Sequence, residues 1–415
     1  MLRLWLRDGP RVSVFKLFSM DVTIVSPSRP GLELEEDFLL TDVARLKRWL
    51  PWLLLFRAFR VAIHHRRMFV GIAFVWLVIA GTAGVNWMFG DPVALPDFES
   101  SLDEPQPPFV ELLQNPWHEL SPHLLTTRAL YPLQEILRQS WKVIDSEHRM
   151  PQLLNWLWLA GWTLLAGGLI SRMAALEVTQ HHEASLRSAV GYVFRHAISY
   201  LGGPLTVVCG FLFFAALNAL LGVIGCIPGM GPYLIWLGWP LALVSGVFLA
   251  MLVVGFTISW PLMICTTSTE GTDPFDGLSR SYNYLFVRPW YALFLMLLLL
   301  MYGGLLLYFV EGMVLLTWQI TVSTVAMGGG LATLPDGWLS FWKSLLGSIP
   351  LAFAVSLFWT AMTIVYLLLR KSEDSTPLDV VDMDTPPQSG LPLVGVPAAA
   401  RREAARQATA DDSDS

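Results

Sequence analysis

Residues 260–290 read WPLMICTTSTEGTDPFDGLSRSYNYLFVRPW, and they lie between two long apolar runs. Asp273 is followed by Pro274 and Asp276, which is a strong helix start because Asp is a preferred cap residue and Pro fits the first helical turn. Pro289 closes this short helix and opens the next apolar run. The stretch therefore predicts an elbow, defined here as a short helix that leads the chain into a membrane-spanning helix.

The predicted elbow helix has distinct faces. Asp276 and Arg280 are four residues apart and can form an ion pair on one face. Helix capping and this ion pair account for Asp273, Asp276 and Arg280, but not for Glu270, which precedes the cap. Glu270 is therefore the first candidate for a functional residue, and Arg280 and Arg288 are further candidates for contact with a headgroup or ion. The predicted apolar face consists of Phe275, Leu278, Tyr282 and Leu285.

Long runs without charged residues predict the rest of the fold. The chain has 54% hydrophobic and 14% charged residues and a mean hydropathy of +0.52, which is far from an ordinary soluble domain. A membrane span needs roughly 20 apolar residues. The runs predict an all-α, polytopic transmembrane helical bundle with six spans. The predicted spans cover residues of about 68–88, 152–171, 204–225, 240–260, 289–311 and 345–369.

The segments between and beyond these spans have their own predicted roles. Residues 1–43 are a polar N-terminal segment in which Met20 is an alternative start, and 44–67 are an interfacial helix. Residues 45–67 contain seven Arg or Lys residues and no acid, which places the N-terminus in the cytoplasm by the positive-inside rule. We expect 91–149 to form an outer loop and 371–415 a disordered, acidic, cytoplasmic tail. We expect residues 312–336 to form either an extension of the fifth span or a re-entrant segment.

Three stretches share a pattern ahead of an outward-going span. They read LFRAFRVAI at 55–63, LRSAVGYVF at 186–194 and LSRSYNYLF at 278–286. Each is followed by two predicted spans. The simplest interpretation is three elbow–hairpin units, the first of which carries the large outer loop.

Small and polar residues within the spans predict how the helices pack. Ala80 and Gly84 form a small-xxx-small pair, which lets a neighbouring helix approach closely. Asn218, Thr257 and Ser356 are mid-span polar residues, and we expect them to hydrogen-bond between helices.

The histidines are the remaining candidates for chemistry. His181 and His182 lie near Glu177, and Glu177 and His181 share a helical face at i,i+4. Adjacent histidines point in different directions on a helix, however, and no HExxH motif is present. We therefore interpret them as polar surface residues and predict no catalytic, cofactor-binding or metal site, and no cofactor.

The motifs quoted above resemble a family of uncharacterised polytopic inner-membrane proteins of planctomycete-type bacteria. The resemblance covers roughly residues 45–370, and FDGLSRSY…RPW is its most specific part. It implies the helical fold and a bacterial inner-membrane location. No activity is established for that family, so the resemblance implies no catalytic residue.

These observations favour a non-enzymatic membrane scaffold or accessory component. The expected partners are the lipid bilayer and a membrane protein that binds the outer loop or the tail, and the nearly neutral core gives no reason to expect nucleic acid. A passive carrier or channel for a lipid or small neutral solute is the alternative. A membrane-embedded enzyme is the third hypothesis, which depends on the histidines and the 270–280 cluster.

Overall fold

The computed structural model describes residues 50–90, 93, 127–180, 184–329, 337–376 and 381. Within these ranges the chain forms α-helices and two 3-10 helices, and it forms no β-strand. The 3-10 helices are Pro51–Arg57 and Thr127–Leu130. The α-helices are α1 (Ala58–Ala62), α2 (His65–Phe89), α3 (Tyr131–Asp145), α4 (Arg149–Gln180), α5 (Leu186–Arg195), α6 (Ala197–Ile224), α7 (Gly231–Glu270), α8 (Pro274–Val287), α9 (Pro289–Met327) and α10 (Trp338–Asp374).

Six of these helices, α2, α4, α6, α7, α9 and α10, are long and apolar enough to cross a membrane, which confirms the all-α, multi-span fold. They pack as three pairs: α2 with α4, α6 with α7, and α9 with α10. A short helical segment precedes the first helix of each pair, and α1, α5 and α8 are these elbows. We call the end of the bundle where α4, α7 and α10 finish the elbow end.

Helix α10 is the core of the bundle. It contacts α2, α4, α7 and α9, together with both 3-10 helices and the short helices α1, α3 and α8, and its residues 352–370 are all buried. Trp359 is fully buried, and its ring meets that of Trp260 edge-on at 5.6 Å. Close packing around α10 supplies the dispersion contacts that hold helices together inside lipid, where the hydrophobic effect between helices is absent.

Glycines allow the closest helix contacts. A Cβ atom added at Gly71 would lie 2.5 Å from the backbone oxygen of Ala352, so α2 and α10 touch backbone to backbone there. The prediction for Ala80 and Gly84 was wrong: Ala80 is exposed, and nothing lies within 4 Å of a Cβ added at Gly84. The spacing of small residues identified the correct helix but the wrong face.

The hairpin of α6 and α7 lies at the periphery of the bundle. Large apolar side chains are exposed along both helices from Ile198 to Ile258, which is the expected surface for helices that face lipid. Asn218 accepts a hydrogen bond from Ser245 across the hairpin. Ser356 of α10 donates to the backbone oxygen of Ala62 at 2.7 Å. Thr257 instead donates to the backbone oxygen of Val253 in its own helix at 2.8 Å.

Helix α9 continues without a break to Met327. Of the two alternatives for residues 312–336, the part from 312 to 327 is therefore an extension of the fifth long helix, and 328–329 form a turn after it. Residues 330–336 lie outside the described residues, as do 1–49 and most of 91–126 and 377–415. The predictions made for those segments stay predictions.

Candidate functional site at the elbow end

The C-terminus of α7 lies at the centre of the elbow end. Helix α7 ends because Gly271 adopts a left-handed conformation with φ of 63°, and its N–H donates to the oxygen of Thr267 at 3.0 Å. This αL cap leaves other carbonyls of the last turn free to accept hydrogen bonds. Residues Ser259 to Thr269 before the cap are all buried. The last turn of α7 therefore presents acceptors and partial negative charge inside the protein.

Glu270 is the hub of the charged residues. One carboxylate oxygen accepts from the Tyr366 hydroxyl at 2.6 Å and from the Arg370 guanidinium at 3.0 Å, and the other binds Arg280. The side chains of Glu270 and Arg370 are only 14% and 2% exposed. The sequence prediction that Glu270 is more than a capping residue is thus accounted for by a structural role: it ties α7 to α8 and α10.

Arg280 links this hub to the elbow helix α8. Its Nε donates to Asp276 at 2.9 Å, the ion pair predicted from the i,i+4 spacing. The hydrogen bond with Asp276, followed by the charge of Glu270, raises the pKa of the Arg280 guanidinium above its ordinary value. Asp273 occupies the predicted N-cap position, but its side chain makes no capping hydrogen bond.

The buried face of α8 differs from the predicted one. Gly277, Ser281 and Tyr284 are buried, whereas Phe275 is 71% exposed. Small residues face the bundle because α7 approaches closely, and Ser281 hydroxyl lies 3.3 Å from the Thr266 hydroxyl. Of the predicted apolar face, Leu278, Tyr282 and Leu285 are partly buried and Phe275 points outward.

A second group of donors binds the last turn of α7 from the other side. The Tyr192 hydroxyl of α5 donates to the oxygen of Thr267 at 2.9 Å, and Arg172 of α4 donates to the oxygen of Ser268 at 3.0 Å. The Arg172 guanidinium also lies 3.8 Å from the centre of the Tyr192 ring, a cation–π contact. Tyr200 of α6 shares a 2.8 Å hydrogen bond with the Ser268 hydroxyl. Five other helices are thus connected to one helix end.

Arg288 and Tyr284 connect α8 to the end of α10. Arg288 Nε donates to Glu373 at 3.0 Å, and the Tyr284 hydroxyl donates to Asp374. Burial, and then the hydrogen bond to Asp374, raises the pKa of Tyr284. The candidate Arg288 is half-exposed and ion-paired, so its contact is again between helices.

His181 and His182, the histidine pair considered in the sequence analysis, lie outside the described residues. Their neighbour Glu177 binds Arg67 of α2 at 2.6 Å. Arg67 is 2% exposed and also donates to the oxygen of Val61 at 2.5 Å. Glu177 therefore balances a buried cation. Among the described residues, no group of three or more His, Cys, Asp or Glu side chains is arranged to hold a metal ion.

Sequence reasoning missed Arg172 and Arg370, although a signal for them exists. Arg172, Glu270 and Arg370 are each the first charged residue after a charge-free run, and each stands on a helix that returns to the elbow end. Helices α4, α7 and α10 contact one another, so these first charges fall at a similar depth. Their alternating sign, basic then acidic then basic, predicts that they attract one another.

The hydrogen bonds and ion pairs of this site hold helices together. Both carboxylate oxygens of Glu270 are engaged by cations or a phenol, and the nearby carbonyls are engaged by Tyr192 and Arg172. Comparison with known proteins adds no further assignment: no family model, curated protein or solved structure matches the chain. The resemblance stated from the motifs therefore stays a prediction.

Proposed function

We propose that the protein is a non-enzymatic scaffold or accessory component that assists another membrane protein. The observation that carries this proposal is that the polar side chains at the elbow end bind one another or the last turn of α7, and so join α7 to five other helices. A reaction centre would instead keep a nucleophile or an acid–base pair accessible to a substrate. The partner surfaces expected from the sequence are the segment 91–149 and the tail 371–415.

The proposed location is a bacterial inner membrane, with both termini in the cytoplasm. Seven basic residues and no acid between 45 and 67 support this orientation. The motif resemblance supports the choice of membrane.

Cross-linking of the full chain in native membranes tests the scaffold proposal. We expect one membrane protein to be recovered reproducibly with the wild-type chain and at much lower yield with a chain that ends at residue 376. A variant with Asp276→Asn is the matched control, since Asp276 lies on the elbow and outside the proposed partner surfaces. Failure to recover any reproducible partner would contradict the proposal.

A lipid carrier is the second candidate, and a groove between α6 and α7 favours it. The groove has a volume of about 320 Å³ and is lined by apolar residues with Asn218 among them. A Trp at Gly222 would fill it, whereas Gly246 has open space around it and does not line the groove. Lipid movement in proteoliposomes that Gly222→Trp abolishes and Gly246→Trp preserves would favour the carrier over the scaffold. The third hypothesis, a membrane-embedded enzyme, loses its support at the 270–280 cluster, where the charged groups bind one another.

A further inference from the structure

The segment 127–145 has the position and polarity of a membrane-embedded element. It comprises the 3-10 helix Thr127–Leu130 and the helix α3. From its place between the first two spans, this segment was expected outside the bilayer. We propose that it re-enters the apolar layer of the membrane, with one face of α3 against the bundle and the other against lipid acyl chains.

The first observation is depth. Ala129 is fully buried, and a Cβ added at Gly303 of α9 would lie 2.9 Å from the Ala129 Cβ and 3.6 Å from Leu357 of α10. At about 1.5 Å per residue, Gly303 lies roughly 20 Å from one end of α9 and roughly 35 Å from the other. Leu357 lies near the middle of α10 by the same measure. A segment that starts between these residues lies well inside the bundle.

The second observation is that α3 buries two polar residues and exposes three large apolar ones, although Gln134, Arg138 and Asp145 are exposed as well. Glu135 and Gln139 face inward and are 9% and 4% exposed, whereas the outward stripe Leu137, Trp141 and Ile144 is 41%, 68% and 67% exposed. Glu135 accepts from the Arg138 guanidinium at 2.7 Å and 2.9 Å and from the Gln139 amide at 2.9 Å.

Lipid is the solvent that fits this arrangement. Polar residues inside a membrane face the bundle and pair with each other, and apolar residues face outward. Arg138 is half-exposed, but the bidentate contact with Glu135 neutralises its charge and satisfies two of its donors. In water the exposed stripe would be an unfavourable apolar patch, and the buried Glu135 would have no reason to leave solvent.

The third observation is that the first elbow reaches the same turn of α9. Tyr302, next to Gly303, donates to the oxygen of Phe56 at 3.1 Å. Phe56 belongs to the 3-10 helix Pro51–Arg57, and Ser356, next to Leu357, donates to Ala62. Segments from before α2 and from after it therefore converge on one layer of α9 and α10.

Spin-label accessibility of the full chain in liposomes tests the lipid contact. A label would be attached to Leu137→Cys or Trp141→Cys after Cys209, Cys226 and Cys265 are replaced by Ala. We expect oxygen to relax these labels more than a water-soluble nickel chelate does, as for a label at Leu297 of α9, which is exposed and lies within the fifth predicted span. A label at the exposed Glu147 is the aqueous control. Labels at 137 and 141 that behave like the one at 147 would overturn the proposal.

An engineered disulfide tests the depth separately. Ala129→Cys is combined with Gly303→Cys, and the control pair combines it with Gly312→Cys, which has no neighbour within 4 Å. We expect oxidation to link 129 to 303 and not to 312, as detected by mass spectrometry of the digested protein. A bond to 312 instead, or a folded protein in which neither pair forms, would refute the proposed depth.

Discussion

Replacement of Glu270 by Ala should destabilise the whole elbow end. The change removes the carboxylate that binds Arg370 at 3.0 Å, where the Arg370 side chain is 2% exposed, and the acceptor of the Tyr366 hydroxyl. Removal of one member of a buried ion pair costs about 3–5 kcal/mol, because the remaining charge stays buried without compensation. Arg280 keeps its contact with Asp276, so we expect the cost to fall near the lower limit, at about 3 kcal/mol.

Unfolding in mild detergent under increasing SDS, followed by helix content, measures this change in the free energy of unfolding. The control is Asp276→Asn, because that ion pair joins side chains that are 44% and 40% exposed and should contribute less than about 1 kcal/mol. The double variant with Arg370→Met should recover part of the loss, since it also removes the buried guanidinium that Glu270 balances in the wild type. If Glu270→Ala costs no more than Asp276→Asn, the Glu270 cluster does not hold the bundle together.

Two further predictions address packing and pH. Gly71→Ala should destabilise the protein by about 1–3 kcal/mol, because the added methyl group meets the Ala352 backbone; Gly84→Ala on the same helix should be neutral or slightly stabilising, and equal effects in the same SDS titration would refute the α2–α10 contact. Because burial and then the hydrogen bond to Asp374 raise the pKa of Tyr284, the folded state holds that proton more tightly than the unfolded chain. The contribution of Tyr284 to the free energy of unfolding should therefore be intact below a pH of about 10 and be lost at higher pH. Tyr284→Phe should therefore show a smaller alkaline loss of stability than wild type, and identical pH profiles would contradict this assignment.

The number and positions of the long helices follow from the sequence because charge-free runs are a one-dimensional signal. The elbow helix was predictable for the same reason: Asp273, Pro274 and the Asp276–Arg280 pair act within one or two helical turns. Its buried face was not predictable from apolarity. Phe275 faces outward and Ser281 inward, because lipid makes an exposed aromatic favourable and close helix packing requires small residues.

The central position of α10 could not be read from hydropathy. Helix α10 is less hydropathic than α6, α7 and α9, yet it is far more buried than any of them. Lipid and protein interior are similarly apolar, so hydropathy does not separate the helix that faces lipid from the helix that faces protein. The small and hydroxylated residues of α10, such as Ala354, Ser356 and Thr360, are the feature of the sequence that indicates a helix buried among other helices.

The central claim is that the bundle is closed around α10 and held together by the contacts at its elbow end. Cysteine scanning of α10 in liposomes, in a chain without the native cysteines, tests it most directly with a small water-soluble thiol reagent. We expect no modification from Ala352 to Leu369, where every residue is buried, and ready modification at the exposed Trp342. A continuous stripe of reactive positions through 352–369 would reveal a water-filled path along α10, contradict the closed bundle and favour a channel or carrier.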